Sequence, residues 1–151
     1  MQVSEEDRKR RQGKIVLAVD DDPTVASFIQ LILQHAGFTV VVAHSGEEAL
    51  ATLTRIQPVA IVLDVNLDPA ERAWDGYETC RRMRENYRDL QAPVIFVTIR
   101  KTREDVKRAM QVGGDYFITK PIAAPILLER VVHALGRGKV DRRGLGWKAG
   151  Q

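Results

Sequence analysis

The chain has 151 residues, 44% of them apolar and 28% charged, with a net charge of +3. That length predicts one domain, and that mix predicts a globular one with its own core. No apolar run approaches the ~18 residues of a membrane span, the first residues lack the layout of a signal peptide, and the single Cys80 excludes an internal disulfide and fits a reducing cytoplasm.

Residues 1–13 hold Arg8, Lys9, Arg10 and Arg11 beside three acidic residues, and they read as a disordered basic tail. Ile15-Val16-Leu17-Ala18-Val19 is a continuous apolar run that stops at three aspartates, the pattern of a strand buried on both faces. A helix follows over about 23–36, with Asp22 placed to cap it, Pro23 in its first turn and Gly37 beyond its end. Phe38–Ala43 is a second strand, and Ser45 opens a second helix with Glu47 and Glu48 in its first turn. Pro58–Leu63 is a third strand, and it ends at Asp64. A long loop runs to about residue 75, then a helix to Tyr87. Pro93–Val97 is a fourth strand, Thr102–Gln111 a fourth helix, Asp115–Ile118 a fifth strand and Ile122–Leu135 the last helix. Residues 137–151 are rich in Gly and charge and read as a flexible basic tail beyond a domain spanning 14–136. Neither tail carries an aromatic platform or a DNA-binding motif, so solvated ends outweigh nucleic-acid attraction.

Five βα units in succession predict an α/β fold, a single doubly wound five-stranded parallel sheet with five helices. The expected strand order is the flavodoxin-like 2-1-3-4-5, whose crevice lies at the carboxyl ends of the strands. At those ends stand Asp20, Asp21 and Asp22, then Asp64, then Thr98, then Lys120. Clustered carboxylates repel one another unless a cation sits among them. A hard divalent ion resolves this, and magnesium uses one or two carboxylates together with phosphate oxygens. A lysine and a hydroxyl nearby suit an incoming phosphoryl group. Asp64 is then a candidate carboxylate nucleophile.

The chain resembles the receiver domains of response regulators, relatives of the chemotaxis regulator. The resemblance spans about residues 14–135 and rests on four segments: Val19-Asp20-Asp21-Asp22-Pro23, Ile61-Val62-Leu63-Asp64, Phe96-Val97-Thr98, and Gly113 through Pro121 with its Lys120-Pro121 pair. It implies Asp64 as phospho-acceptor and magnesium as the ion, with manganese as a substitute. Asp21 would ligate the ion directly, Asp20 through water, and Asn66 through its backbone carbonyl. Thr98 and Lys120 would contact the phosphoryl oxygens, and Phe117 takes the aromatic switch position behind Thr98. The resemblance further implies a cytoplasmic signalling switch, not an enzyme in the usual sense, although it assists its own phosphorylation and dephosphorylation. A sensor histidine kinase or histidine phosphotransfer protein would supply the phosphoryl group. The fourth helix, fifth strand and last helix would present the signal to a downstream protein target or to a second copy in a homodimer. No DNA-binding domain is expected within the chain, and no membrane partner.

Two departures stand out. Asp75-Gly76 arrives later after the acceptor than the family's pattern has it, which lengthens the loop 65–75, and Ile99 follows the threonine where a small residue is usual. Both bear on access to the site. Asp68 and Asp75 in that loop read as solvated, Trp74 as a lid or packing residue, and Cys80 as packing in a row with Met83 and Tyr87. His35, His44 and His133 are scattered and read as away from the strand ends. Asp64–Asp68 partly imitates a calcium loop, but Pro69 stands where the sharp-turn glycine belongs. A phosphohydrolase nucleophile motif would need a second aspartate where Asn66 stands. The rival reading of weight is a receiver-like interaction module that works without phosphate.

Overall fold

The computed structural model describes residues 2–67, 74–99 and 102–136. Its strands are β1 (Ile15–Val19), β2 (Thr39–Ala43), β3 (Ala60–Asp64), β4 (Val94–Thr98) and β5 (Tyr116–Thr119). All pair in parallel, in the order β2-β1-β3-β4-β5. The helices are α1 (Glu5–Arg11), α2 (Pro23–His35), α3 (Gly46–Thr52), α4 (Gly76–Asn86), α5 (Arg103–Gln111) and α6 (Ala124–Leu135). The doubly wound sheet and its order are those expected; among the described residues the helices number six rather than five.

Successive side chains of a strand point to opposite faces, so a buried sheet needs two apolar layers. Val16, Ala18, Val62, Ile95 and Tyr116 meet Ile29 and Leu33 of α2 and Leu127 and Val131 of α6. Leu17, Val19, Ile61, Leu63 and Phe96 meet Ala49 of α3, Cys80 and Met83 of α4 and Ala109 of α5. Every residue of β3 and β4 is buried. Cys80 is fully buried and its thiol donates to the Val112 carbonyl, 3.2 Å away, so it is a packing residue as its spacing indicated.

The additional helix, α1, lies where a disordered tail was expected. Its local chemistry favours a helix: the Ser4 hydroxyl accepts from the Asp7 amide, acidic residues fill the first turn and basic ones the last. No residue of α1 is buried, so an apolar period could not reveal it. Its tertiary anchor is polar. Arg8 Nε donates to the His35 carbonyl at 3.0 Å, and an Arg11 nitrogen to the Ala36 carbonyl at 3.2 Å. These acceptors sit at the end of α2, where a helix leaves carbonyls without partners. Gly37 has φ of +107°, and a Cβ there would lie 2.8 Å from the Arg8 backbone, so glycine is required twice over. The loop residues 68–73, including Asp68, and the tail 137–151 lie outside the described residues. Among the described residues, no helix is long and apolar enough to cross a membrane.

Removing residues 1–12 should lower unfolding stability by about 1–3 kcal/mol, the range for a few hydrogen bonds to otherwise unpaired carbonyls. Urea titration checks this. Because α1 packs at the amino ends of β1 and β2, ion binding at their carboxyl ends should persist in the truncated chain.

Candidate functional site

Register decides which groups meet. Val19 of β1 stands opposite Leu63 of β3, so the next residues, Asp20 and Asp64, emerge side by side. Thr98 of β4 stands opposite Thr119 of β5, and the Lys120 amide donates to the Thr98 carbonyl at 2.8 Å. The sheet therefore brings the four groups to one end from four strands.

Asp20, Asp21 and Asp64 form a cluster in which one carboxylate oxygen from each lies within 4.8 Å of the others. Asp20 and Asp64 are buried; Asp21 is not. Each buried carboxylate accepts one local amide. The Asp22 amide donates to Asp20 Oδ1 at 2.9 Å, and the Asn66 amide to Asp64 Oδ1 at 3.1 Å. Lys120 Nζ lies 3.3 Å from Asp64 Oδ1 and 3.5 Å from Asp20 Oδ2. The second contact is an ion pair by distance only, since Asp20 Oδ2 is buried and receives no hydrogen bond.

The electrostatics follow from that geometry. Burial pushes the Asp20 carboxyl above the usual carboxylate range; the Asp22 amide opposes the shift, and the charges of Asp64 and Asp21 add to it. Burial likewise raises Asp64, against the pull of Lys120 and the Asn66 amide. Burial works to lower the Lys120 ammonium, yet Asp64 and Asp20 outweigh it and hold the group above the ordinary lysine value. One ammonium faces three carboxylates, so negative charge remains in excess. A buried oxygen with no hydrogen bond, inside a set of hard oxygen donors, fits a divalent cation of the magnesium class.

Behind this cluster Thr98 is buried at 2% exposure, while the next residue, Ile99, is 68% exposed. Phe117 is buried, with its ring 5.8 Å from that of Phe96. The Lys120–Pro121 peptide bond is cis.

The response regulator receiver domain model matches residues 16–132. The chain belongs to the response regulator receiver domains. It is similar to the transcriptional regulatory protein TrcR of Mycobacterium tuberculosis, with 35% identity over 122 residues, covering 81% of this chain and 45% of that protein. It is also similar to the response regulator MprA of Mycobacterium leprae, with 36% identity over 126 residues, covering 83% of this chain and 53% of that one. The chain thus spans about half the length of these curated relatives. Among solved structures, it resembles a putative response regulator from Chloroflexus aurantiacus, at 33% identity and a TM-score of 0.73, covering 82% of this chain and 98% of that one. The chemotaxis protein CheY4 of Vibrio cholerae matches with 27% identity and a TM-score of 0.73, covering 80% and 98%.

In this receiver domain the expected site residues Asp20, Asp21, Asp64 and Lys120 converge, with Thr98 beside them at the adjoining strand end. Asn66 is exposed at the rim and meets Asp64 through its amide. Asp22 caps α2, accepting from the Thr24 amide at 2.9 Å. Trp74 packs: its ring lies under the Arg82 guanidinium at 4.2 Å, and its side chain borders Gly46. Two expectations need correction. Asp75 is not merely solvated; it caps α4, accepting from the Glu78 amide at 2.8 Å, because the loop must hand over directly to a helix. His44 does stand at a strand end, immediately after β2, with Nδ1 3.1 Å from the Asp20 carbonyl oxygen. Gly76 has a role that its sequence position only hinted at. Its amide donates to the Val65 carbonyl at 2.9 Å, and a Cβ would lie 2.2 Å from the Asp64 carbonyl oxygen.

A carboxyl raised by burial destabilises the fold once it ionises. Its cost is absent below the unfolded carboxylate pKa and grows until pH passes the raised folded value. Asp20→Asn should therefore stabilise the ion-free protein at neutral pH by roughly 1–2 kcal/mol, while weakening the added stability that magnesium confers. Urea titrations in chelator and in magnesium measure both effects. A lower ion-free stability for Asp20→Asn would contradict this electrostatic account.

Proposed function

We propose that this receiver domain is a phosphorylation-dependent switch whose acceptor is Asp64. The observation that carries the reading is that Lys120, just past β5, lies within ion-pair distance of both Asp64 and Asp20 at the ends of β3 and β1.

The donor is a phosphohistidine on a sensor kinase or histidine phosphotransfer protein. A carboxylate oxygen of Asp64 forms the new bond to phosphorus as the phosphorus–nitrogen bond breaks. The imidazole nitrogen leaves with the electron pair and takes a proton from solvent. Such transfers need positioning and charge neutralisation more than covalent chemistry. Lys120 meets the charge on the phosphoryl oxygens, and Thr98 donates its hydroxyl to one of them. Asp20, Asp21, Asp64 and the Asn66 carbonyl are the groups to hold magnesium, or manganese in its place. When bound, that ion neutralises the carboxylates and polarises the phosphoryl group. The same residues serve slow hydrolysis of the aspartyl phosphate, so the chain assists its own reset without being a dedicated enzyme.

The output runs through Thr98 and Phe117. Drawing Thr98 toward the phosphoryl group vacates space behind it for the Phe117 ring, and the face formed by α5, β5 and α6 changes shape. This is a population shift between two packings, biased by local charge. The partner on that face is a downstream protein target or a second copy of the chain. Two relatives, of which the match covers about half, are transcriptional regulatory proteins by name, TrcR and AfsQ1 of Streptomyces coelicolor. A comparable output for this chain would come through that face. No membrane partner is proposed, and the cytoplasm is the compartment that fits both the donor and a reduced Cys80.

A small phosphodonor with magnesium should add one phosphoryl group to the wild-type chain by intact mass, and none to Asp64→Asn or in chelator. No adduct on a folded wild-type chain would favour an interaction module that works without phosphate. Ile99 stands exposed just past Thr98, and on this reading a bulky side chain there would narrow the approach to the acceptor. Ile99→Ala should therefore speed labelling by the small donor several-fold, since only sterics change. Time courses of the adduct test this; an unchanged rate would remove Ile99 from the access path.

A further inference from the structure

The end of β2 contributes no carboxylate, yet it holds the backbone that carries two of them. The Asp20 amide donates to the carbonyl of Ala43, the last residue of β2, at 3.1 Å, extending the β1–β2 ladder one step past the end of β1. The Asp20 carbonyl then faces His44 Nδ1 at 3.1 Å. A carbonyl oxygen only accepts, so Nδ1 must carry the hydrogen. His44 is itself fixed, because its amide donates to Glu48 Oε2 on α3 at 2.9 Å. The peptide group joining Asp20 to Asp21 is planar. A grip on the Asp20 carbonyl thus sets the plane from which Asp21 departs. Asp20 has a second restraint, the Asp22 amide on its own Oδ1. Asp21 is the cluster member that burial does not hold in place.

We propose that His44 is a positioning residue for the cation site, aiming Asp21 by holding the Asp20 carbonyl through Nδ1–H. This rests on the reading of Asp20, Asp21 and Asp64 as the ion-binding set. His44 touches no phosphoryl group and ligates no metal; it acts through the peptide plane.

The atom that donates gives the proposal its test. In asparagine, Nδ2 is bonded to Cγ as Nδ1 is in histidine, so it presents N–H at the same place. Glutamine presents its amide one bond farther out, where Nε2 would be. Mn2+ binding to the full chain, followed by the paramagnetic signal of the free ion, should weaken roughly three- to tenfold in His44→Ala and His44→Gln, the worth of one hydrogen bond. His44→Asn should bind as wild type does. Ion-free melting should be nearly the same in all three, because His44 is exposed. Equal affinity in His44→Ala and wild type would overturn the proposal and leave the cation site standing. So would rescue by glutamine and not by asparagine. A wild-type chain that binds no Mn2+ would overturn both. The rescue pattern also separates positioning from charge, since asparagine and glutamine are equally neutral.

Discussion

The structure turns on burying like charges next to one another at the ends of β1 and β3. In the order β2-β1-β3-β4-β5 these strands are neighbours, and their register leaves Asp20 and Asp64 no choice but to meet. Two carboxylates with oxygens within 4.8 Å of each other in a partly screened interior repel by several kcal/mol when both are ionised. The surroundings answer this locally. Lys120 arrives from β5 as a counter-charge, and the Asp22 and Asn66 amides each fix one oxygen. What is left over is an excess of negative charge and a buried Asp20 oxygen with no hydrogen bond. A site with those two properties is incomplete in a chemically specific way, and hard cations answer both at once.

The packing behind the site is continuous. Thr98 and Lys120 share a backbone hydrogen bond, and Phe117 lies three residues before Lys120. Its ring meets Phe96, and Phe96 meets Tyr77 at 5.1 Å. The Tyr77 hydroxyl donates to Asp105 on α5 at 3.2 Å, and the Arg108 guanidinium lies 4.8 Å from the Tyr77 ring and 3.7 Å from Asp75. Burial drives the Tyr77 hydroxyl far above its ordinary pKa, with Asp105 adding to the shift, so the hydroxyl stays a donor. The loop that returns from the acceptor and the helix of the proposed output face therefore converge on one aromatic ring. Contiguity alone is not coupling. On the proposed reading, it supplies the elements that two packings would have to share.

Most of the frame was legible because parallel strands buried on both faces read as unbroken apolar runs, and β1, β3 and β4 do. Strand ends could then be placed, and with them Asp20, Asp64, Thr98 and Lys120. What stayed hidden was held by polar contacts between distant segments. Helix α1 buries none of its own residues, and its arginines reach carbonyls of α2 that no sequence period announces. His44 carried no motif; only the step from Ala43 to Asp20 across the ladder shows that its ring has an acceptor in reach. Gly76 was visible as the end of a lengthened loop, but not as a residue pressed against the acceptor's own carbonyl. Asp75 read as solvated although the expected helix begins beside it; its capping role shows only in the Glu78 amide that it accepts from.

The electrostatic excess also orders the proposed chemistry. A phosphoryl group is itself anionic, and it would enter a pocket where three carboxylates already outnumber one ammonium. Without a cation, transfer would raise the local negative charge in a region largely shut off from water, where such charge is least tolerated. With a cation, the same groups that repel the donor become its anchor. On the proposed reading, the acidic cluster would make phosphoryl affinity conditional on the ion, and by linkage ion affinity conditional on the phosphoryl group. Lys120 cannot substitute for the ion, because its ammonium is already shared between Asp64 and Asp20. A neutral or basic pocket would bind phosphate more simply, and it would keep a carboxylate ionised without help, but it would not let one small cation govern both its charge and its occupancy.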